Sequence, residues 1–139
     1  MKKLITICLL LISAFAANAQ TENFNEEQTI KYINQTWHSN FQVLDCWLDL
    51  YIVEQDAAIQ TDVSLDSTCR DSRYATSIPM YSKPIVGVKA YKNPNDSSMT
   101  LYMVTCDTWP LLTCIKSEAA AEKLKKAVIH LYKLIESRK

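Results

Sequence analysis

Three consecutive stretches, Ile85-Val86-Gly87-Val88-Lys89-Ala90-Tyr91, Asn93-Pro94-Asn95-Asp96-Ser97-Ser98 and Met99-Thr100-Leu101-Tyr102-Met103-Val104-Thr105-Cys106, decide the fold class. The first and third alternate, with Ile85, Gly87, Lys89 and Tyr91 set against Val86, Val88 and Ala90. Leu101, Met103 and Thr105 likewise stand against Tyr102, Val104 and Cys106. Successive strand side chains point to opposite faces, so a period of two marks strands. The middle stretch concentrates Asn, Pro, Asp and Ser, the residues of tight turns. Together they predict an antiparallel hairpin.

Downstream, Asp107-Thr108-Trp109-Pro110 reads as a second reversal and Leu111 to Ile115 as a last short strand. Ser117 is then a helix N-cap. Ala120, Leu124, Ala127, Val128, Leu131, Leu134 and Ile135 follow at helical spacing to about Arg138. Lys123, Lys125, Lys126 and Lys133 lie mostly off that stripe. Upstream, Cys46 to Val53 alternates as a strand, Glu54-Gln55-Asp56 reads as a turn, and Ala57 to Val63 as a returning strand. Ser64 to Thr76 is polar and reads as a loop. Ile78 to Tyr81 reads as a short edge strand, bounded by prolines that cannot donate to a ladder. Asn25 caps a further helix to about Ser39, with Glu26 and Glu27 in its first turn and Ile30, Ile33 and Trp37 on one face. The expected layout is α+β: an N-terminal helix, five to six antiparallel strands and a long C-terminal helix.

The chain begins with Lys2 and Lys3, an apolar run from Leu4 to Phe15 and the small-x-small site Ala17-Asn18-Ala19. This is the pattern of a secretory signal peptide over residues 1–19. The mature chain would start at Gln20, occupy the periplasm or the cell exterior, and form a single domain over residues 20–139. No other stretch approaches the roughly 18 apolar residues of a membrane helix, so no stable membrane anchoring is expected. Without Lys2 and Lys3 the chain carries 13 basic and 15 acidic residues, a net charge of −2. No bulk field favours nucleic acid. Gly87 is the only glycine. Glycine-rich phosphate loops and dinucleotide fingerprints need several, so nucleotide cofactors of those types are excluded and none is expected.

Four cysteines follow the leader: Cys46, Cys69, Cys106 and Cys114. An even count in an exported chain suggests disulfides. Cys106 and Cys114 flank the Asp107–Pro110 reversal and are the expected pair, which leaves Cys46–Cys69. The short C-x₂₋₄-C spacing of zinc sites is missing, so no metal site is expected.

The helix Gln28-Thr29-Ile30-Lys31-Tyr32-Ile33-Asn34 and the helix Ala121-Glu122-Lys123-Leu124-Lys125-Lys126-Ala127-Val128-Ile129-His130-Leu131, the latter after a strand bearing a cysteine, resemble segments of small exported bacterial proteins of unknown function. The resemblance implies a pleckstrin-homology-like barrel whose open end is closed by the C-terminal helix. It implies no active site.

Chemistry-bearing residues are few. His38 and His130 are the only histidines. Each reads as a surface or capping residue unless a Cys or Ser stands beside it. Asp45 and Asp49 would share a strand face around Trp47, with Glu54 near; paired carboxylates could serve glycoside hydrolysis, but a solvated strand face explains them. Trp47 and Trp109 are the candidate binding residues, because aromatics outside the core serve as anchors for partners. The expected function is an exported, non-enzymatic binding or interaction module for a protein or small ligand. The alternatives are a secreted enzyme acting on glycans or peptides and a periplasmic inhibitor or immunity protein.

Overall fold

The computed structural model describes residues 21–42, 49–55, 58–64, 74–79 and 83–138. Among these the protein is α+β: α1 (Glu26–Asn40), β1 (Asp49–Gln55), β2 (Ala58–Ser64), β3 (Tyr74–Pro79), β4 (Val86–Asn93), β5 (Asp96–Cys106), β6 (Trp109–Ile115) and α2 (Glu118–Glu136). The strands form two antiparallel three-stranded sheets, ordered β1-β2-β3 and β4-β5-β6.

Helix α1 starts where its sequence supplies its own cap. The Asn25 side chain accepts from Gln28 N at 2.9 Å, and Gln28 Oε1 accepts from Asn25 N at 3.0 Å. This reciprocal pair satisfies two backbone donors that the first turn cannot pair internally. Thr29, Ile33 and Trp37, four residues apart, form its buried face. Trp37 Nε1 donates to Thr113 O at 2.9 Å, so α1 is fixed to β6 by one polar bond as well as by burial. Where the helix ends, Phe41 is extended, forms a bridge with Ile115 and packs edge-on to Trp37 at 6.2 Å.

Asn34 docks α1 on the first sheet. Its amide accepts from Ile52 N and donates from Nδ2 to Ile52 O at 3.2 Å. A side-chain amide thus completes one residue's worth of ladder on the outer edge of β1. Ile52 and Ile59, from β1 and β2, bury their side chains in the common core.

In the second sheet the β4–β5 turn is tighter than the sequence suggests. Asn93 already pairs with Asp96, leaving Pro94 and Asn95 as the loop. Asn93 Oδ1 accepts from Asn95 N at 2.9 Å, and Asp96 takes both the backbone and hydroxyl of Ser98, which lowers its carboxyl pKa. Gly87 faces Thr105; a Cβ there would stand 3.2 Å from Thr105 Oγ1, a close approach that glycine relieves.

Helix α2 is capped by Ser117, whose Oγ accepts from Ala120 N at 3.1 Å. Ala120, Ala121, Leu124, Ala127, Val128, Leu131, Tyr132 and Ile135 are buried. This wide stripe covers β4 and β5 on one side and α1 on the other. At its far end Arg138 meets Glu26 at 2.8 Å, and His130 Nε2 donates to Phe24 O at 2.8 Å.

Several boundaries differ from the sequence-based expectation. Strand β1 runs through Gln55, which pairs with Ala58, so Glu54 and Gln55 are strand rather than turn. Strand β3 starts at Tyr74, inside the expected loop, because its backbone finds a full partner in β2. Strand β6 starts at Trp109, not Leu111; Pro110 is accommodated at a register shift, opposite Thr105. Residues 1–19, with the expected leader, lie outside the described residues, as do Asp45, Cys46, Trp47 and Cys69.

The expected Cys106–Cys114 bridge is corrected: both are free, buried thiols. The ladder explains why. Cys106 pairs with Trp109, Thr105 with Pro110, Val104 with Leu112 and Tyr102 with Ile115. Cys114 therefore lies some three residues along β5 from Cys106, about 10 Å at ordinary strand rise. A disulfide needs Cα atoms within about 7 Å.

Candidate functional site

Asp107 organises one end of the second sheet. It adopts a left-handed backbone, φ 53°, a conformation that Asp tolerates better than most residues. Its N–H donates to Ile85 O at 2.7 Å, and its Oδ1 accepts from Ile85 N at 2.9 Å. The same residue therefore turns β5 into β6 and fixes the chain entering β4. Two large apolar side chains are left in solvent at this end: Trp109 is 69% exposed and Ile85 77% exposed. They are the exposed large hydrophobics among the described residues.

Just beneath, Cys106 is buried under α2, with Tyr132 Oη directed at its sulfur at 3.7 Å. Burial lifts the Cys106 pKa from 9.0 to about 11; the Tyr132 hydrogen bond opposes this and the Asp107 charge adds to it. The Tyr132 hydroxyl is itself raised by burial and then by Cys106. A thiol held protonated is a poor nucleophile. Cys106 is buried in the core beneath α2.

The second cysteine joins three segments. Cys114 has φ 57° in the irregular part of β6. Its N–H donates to Tyr91 Oη at 2.9 Å, and Tyr91 Oη directs its proton to the Cys114 sulfur at 3.4 Å. Its carbonyl accepts from Gln42 N at 2.7 Å. Burial, reinforced by Cys114, raises the Tyr91 pKa. Tyr91 thus spans from β4 across β5 to fasten the bulge, a structural latch.

The histidines are apart. His38 is exposed in the last turn of α1. His130 holds the segment before α1. Asp49 and Glu54 are both in β1. Among the described residues no group of three or more His, Cys, Asp and Glu side chains could hold a metal ion. None of the described helices is long and apolar enough to cross a membrane.

Of the candidate binding residues, Trp109 stands in the open. The exposure of Ile85 was not legible, because its alternation with Gly87 and Lys89 does not reveal that it lies at the end of the strand. Asp107 was equally hidden: Asp-Thr is a weaker sign of a left-handed turn than Asn-Gly or Asp-Gly. Compared with known proteins, the chain matches no family, no curated protein and no solved structure.

Proposed function

We propose that this protein is an exported, non-enzymatic interaction module, released from a signal peptide after Ala19, that binds a partner through the sheet end bearing Trp109 and Ile85. The observation that carries the reading is the exposure of these two side chains at one end of the second sheet. An indole and a branched aliphatic in water lose hydration cost when covered, and aromatic anchors dominate protein interfaces. Asp107 holds both strands that present them, so little ordering remains to oppose binding. In the finer reading the strands form a pleckstrin-homology-like barrel closed by α2, which leaves this end free for recognition.

The test is photocross-linking in the native host from a benzophenone residue replacing Trp109. A discrete adduct with one partner is expected, and Ile85→Ser should diminish it. No adduct, or an adduct indifferent to Ile85, would remove the binding surface.

A further inference from the structure

The outer edge of β4 is the second feature of this molecule that calls for a partner. Strand order places β4 at the margin of its sheet, with β5 on one side only. The phase of its ladder is set by the Asp107 N–H donating to Ile85 O, since residues 85 and 107 stand in the same register as Val86 and Cys106. Bonded pairs alternate with unbonded ones in an antiparallel ladder. Gly87, Lys89 and Tyr91 therefore turn their backbone groups toward β5, and Val86, Val88 and Ala90 turn theirs outward. Among the described residues nothing pairs with that outward row, and Lys89 and Ala90 are exposed.

The side chains along this edge differ by face. Val86 and Val88 lie on the α2 side, packed against the core. Lys89 lies on the other. From Lys83 to Asn95 there are three lysines and no carboxylate. Lys83 meets Glu136 at 3.5 Å and Lys92 Nζ meets Thr100 Oγ1 at 3.2 Å, while Lys89 is exposed with no ion pair among the described residues. Lys89 therefore presents an unneutralised positive charge on this edge, which disfavours a like-charged strand and attracts the opposite sign.

We propose that the β4 edge accepts an extended acidic segment of a partner protein as an added antiparallel or parallel strand. Its backbone would bond to Val86, Val88 and Ala90. Its apolar residues would lie beside Val86 and Val88, and a carboxylate would lie opposite Lys89. Main-chain bonds supply affinity in this mode and alternate side chains supply selectivity. The proposal rests on the binding reading above and names the class of partner.

The experiment is amide hydrogen exchange by NMR on the purified protein, titrated with the blocked heptapeptide Thr-Glu-Val-Glu-Val-Glu-Thr. Exchange at Val86, Val88 and Ala90 should slow about tenfold at saturation, while Gly87 and Lys89, already in the ladder, change little. Lys89→Glu, a surface change that leaves the fold intact, should weaken this peptide about fivefold and favour the counterpart with lysine in place of glutamate. No protection, protection elsewhere, or equal affinity for both peptides would overturn the proposal. Concentration-dependent protection without peptide would assign the edge to a second copy and overturn it too. Any of these with the position-109 adduct intact would remove this edge alone; loss of that adduct as well would remove the binding reading.

Discussion

Asn34 and Cys106 are two residues whose roles are set by their immediate surroundings. Asn34 satisfies both backbone groups of Ile52, a residue whose side chain is buried. Asn34→Ala should leave the Ile52 N–H and C=O unpaired at the α1–β1 junction and cost about 1–3 kcal/mol in chemical denaturation. A loss below about 0.5 kcal/mol would mean that water replaces the amide. Cys106 gives a pH signature. The folded protein holds its thiol proton more tightly than the unfolded chain, because burial raises the pKa from 9.0 to about 11. The resulting stabilisation is complete below about pH 9 and is lost as pH rises toward about 11. Stability should therefore fall through that alkaline window, and Cys106→Ala should flatten the fall. An unchanged slope in the variant would assign the alkaline loss to other groups. Neither role was legible in the sequence. Asn34 sits at an ordinary helix position, and a cysteine in an exported chain reads first as half of a disulfide.

Helix α2 is the largest contributor to the core among the elements. Its buried stripe holds Leu124, Val128, Leu131 and Ile135, and Leu131 is fully buried. Leu131→Ala should cost about 2–5 kcal/mol through lost transfer energy and the cavity left behind. Lys123→Ala, on the exposed side, should change stability by less than about 0.5 kcal/mol. Equal losses in urea denaturation would show that α2 is not docked by this stripe. The stripe was legible because leucine, valine and alanine recur at helical spacing with a serine cap in front. The β4–β5 hairpin was legible for the same kind of reason, alternation interrupted by turn residues. Strand β6 was less so. A bulge at Cys114 and a proline at its second position break the period of two, and tertiary bonds from Tyr91 and Trp37 hold what the local pattern does not specify. Strand β3 was hidden by its polar surroundings, since its strand character depends on β2 as partner.

At the scale of the whole molecule, two sheets and two helices share one core, and α2 spans from the second sheet to α1. The α+β class could be read from periodicity alone. The candidate site could be read only in part: Trp109 was singled out as an aromatic within a predicted reversal, but its exposure, that of Ile85 at the same end of the sheet, and the Asp107 turn are properties of the assembled sheet. Trp37, by contrast, is spent on the core, with its indole N–H bonded to Thr113. Exposure of one tryptophan and burial of another separate surface from structure where composition treats them alike. The most direct measurement of the central claim is therefore a comparison of cross-linking yields in the native host from photoreactive residues placed at position 109 and at position 123, an exposed site on α2. The account predicts one partner captured from position 109 and little from position 123, with the first yield reduced by Ile85→Ser. Equal yields from both positions, or none from position 109, would contradict it.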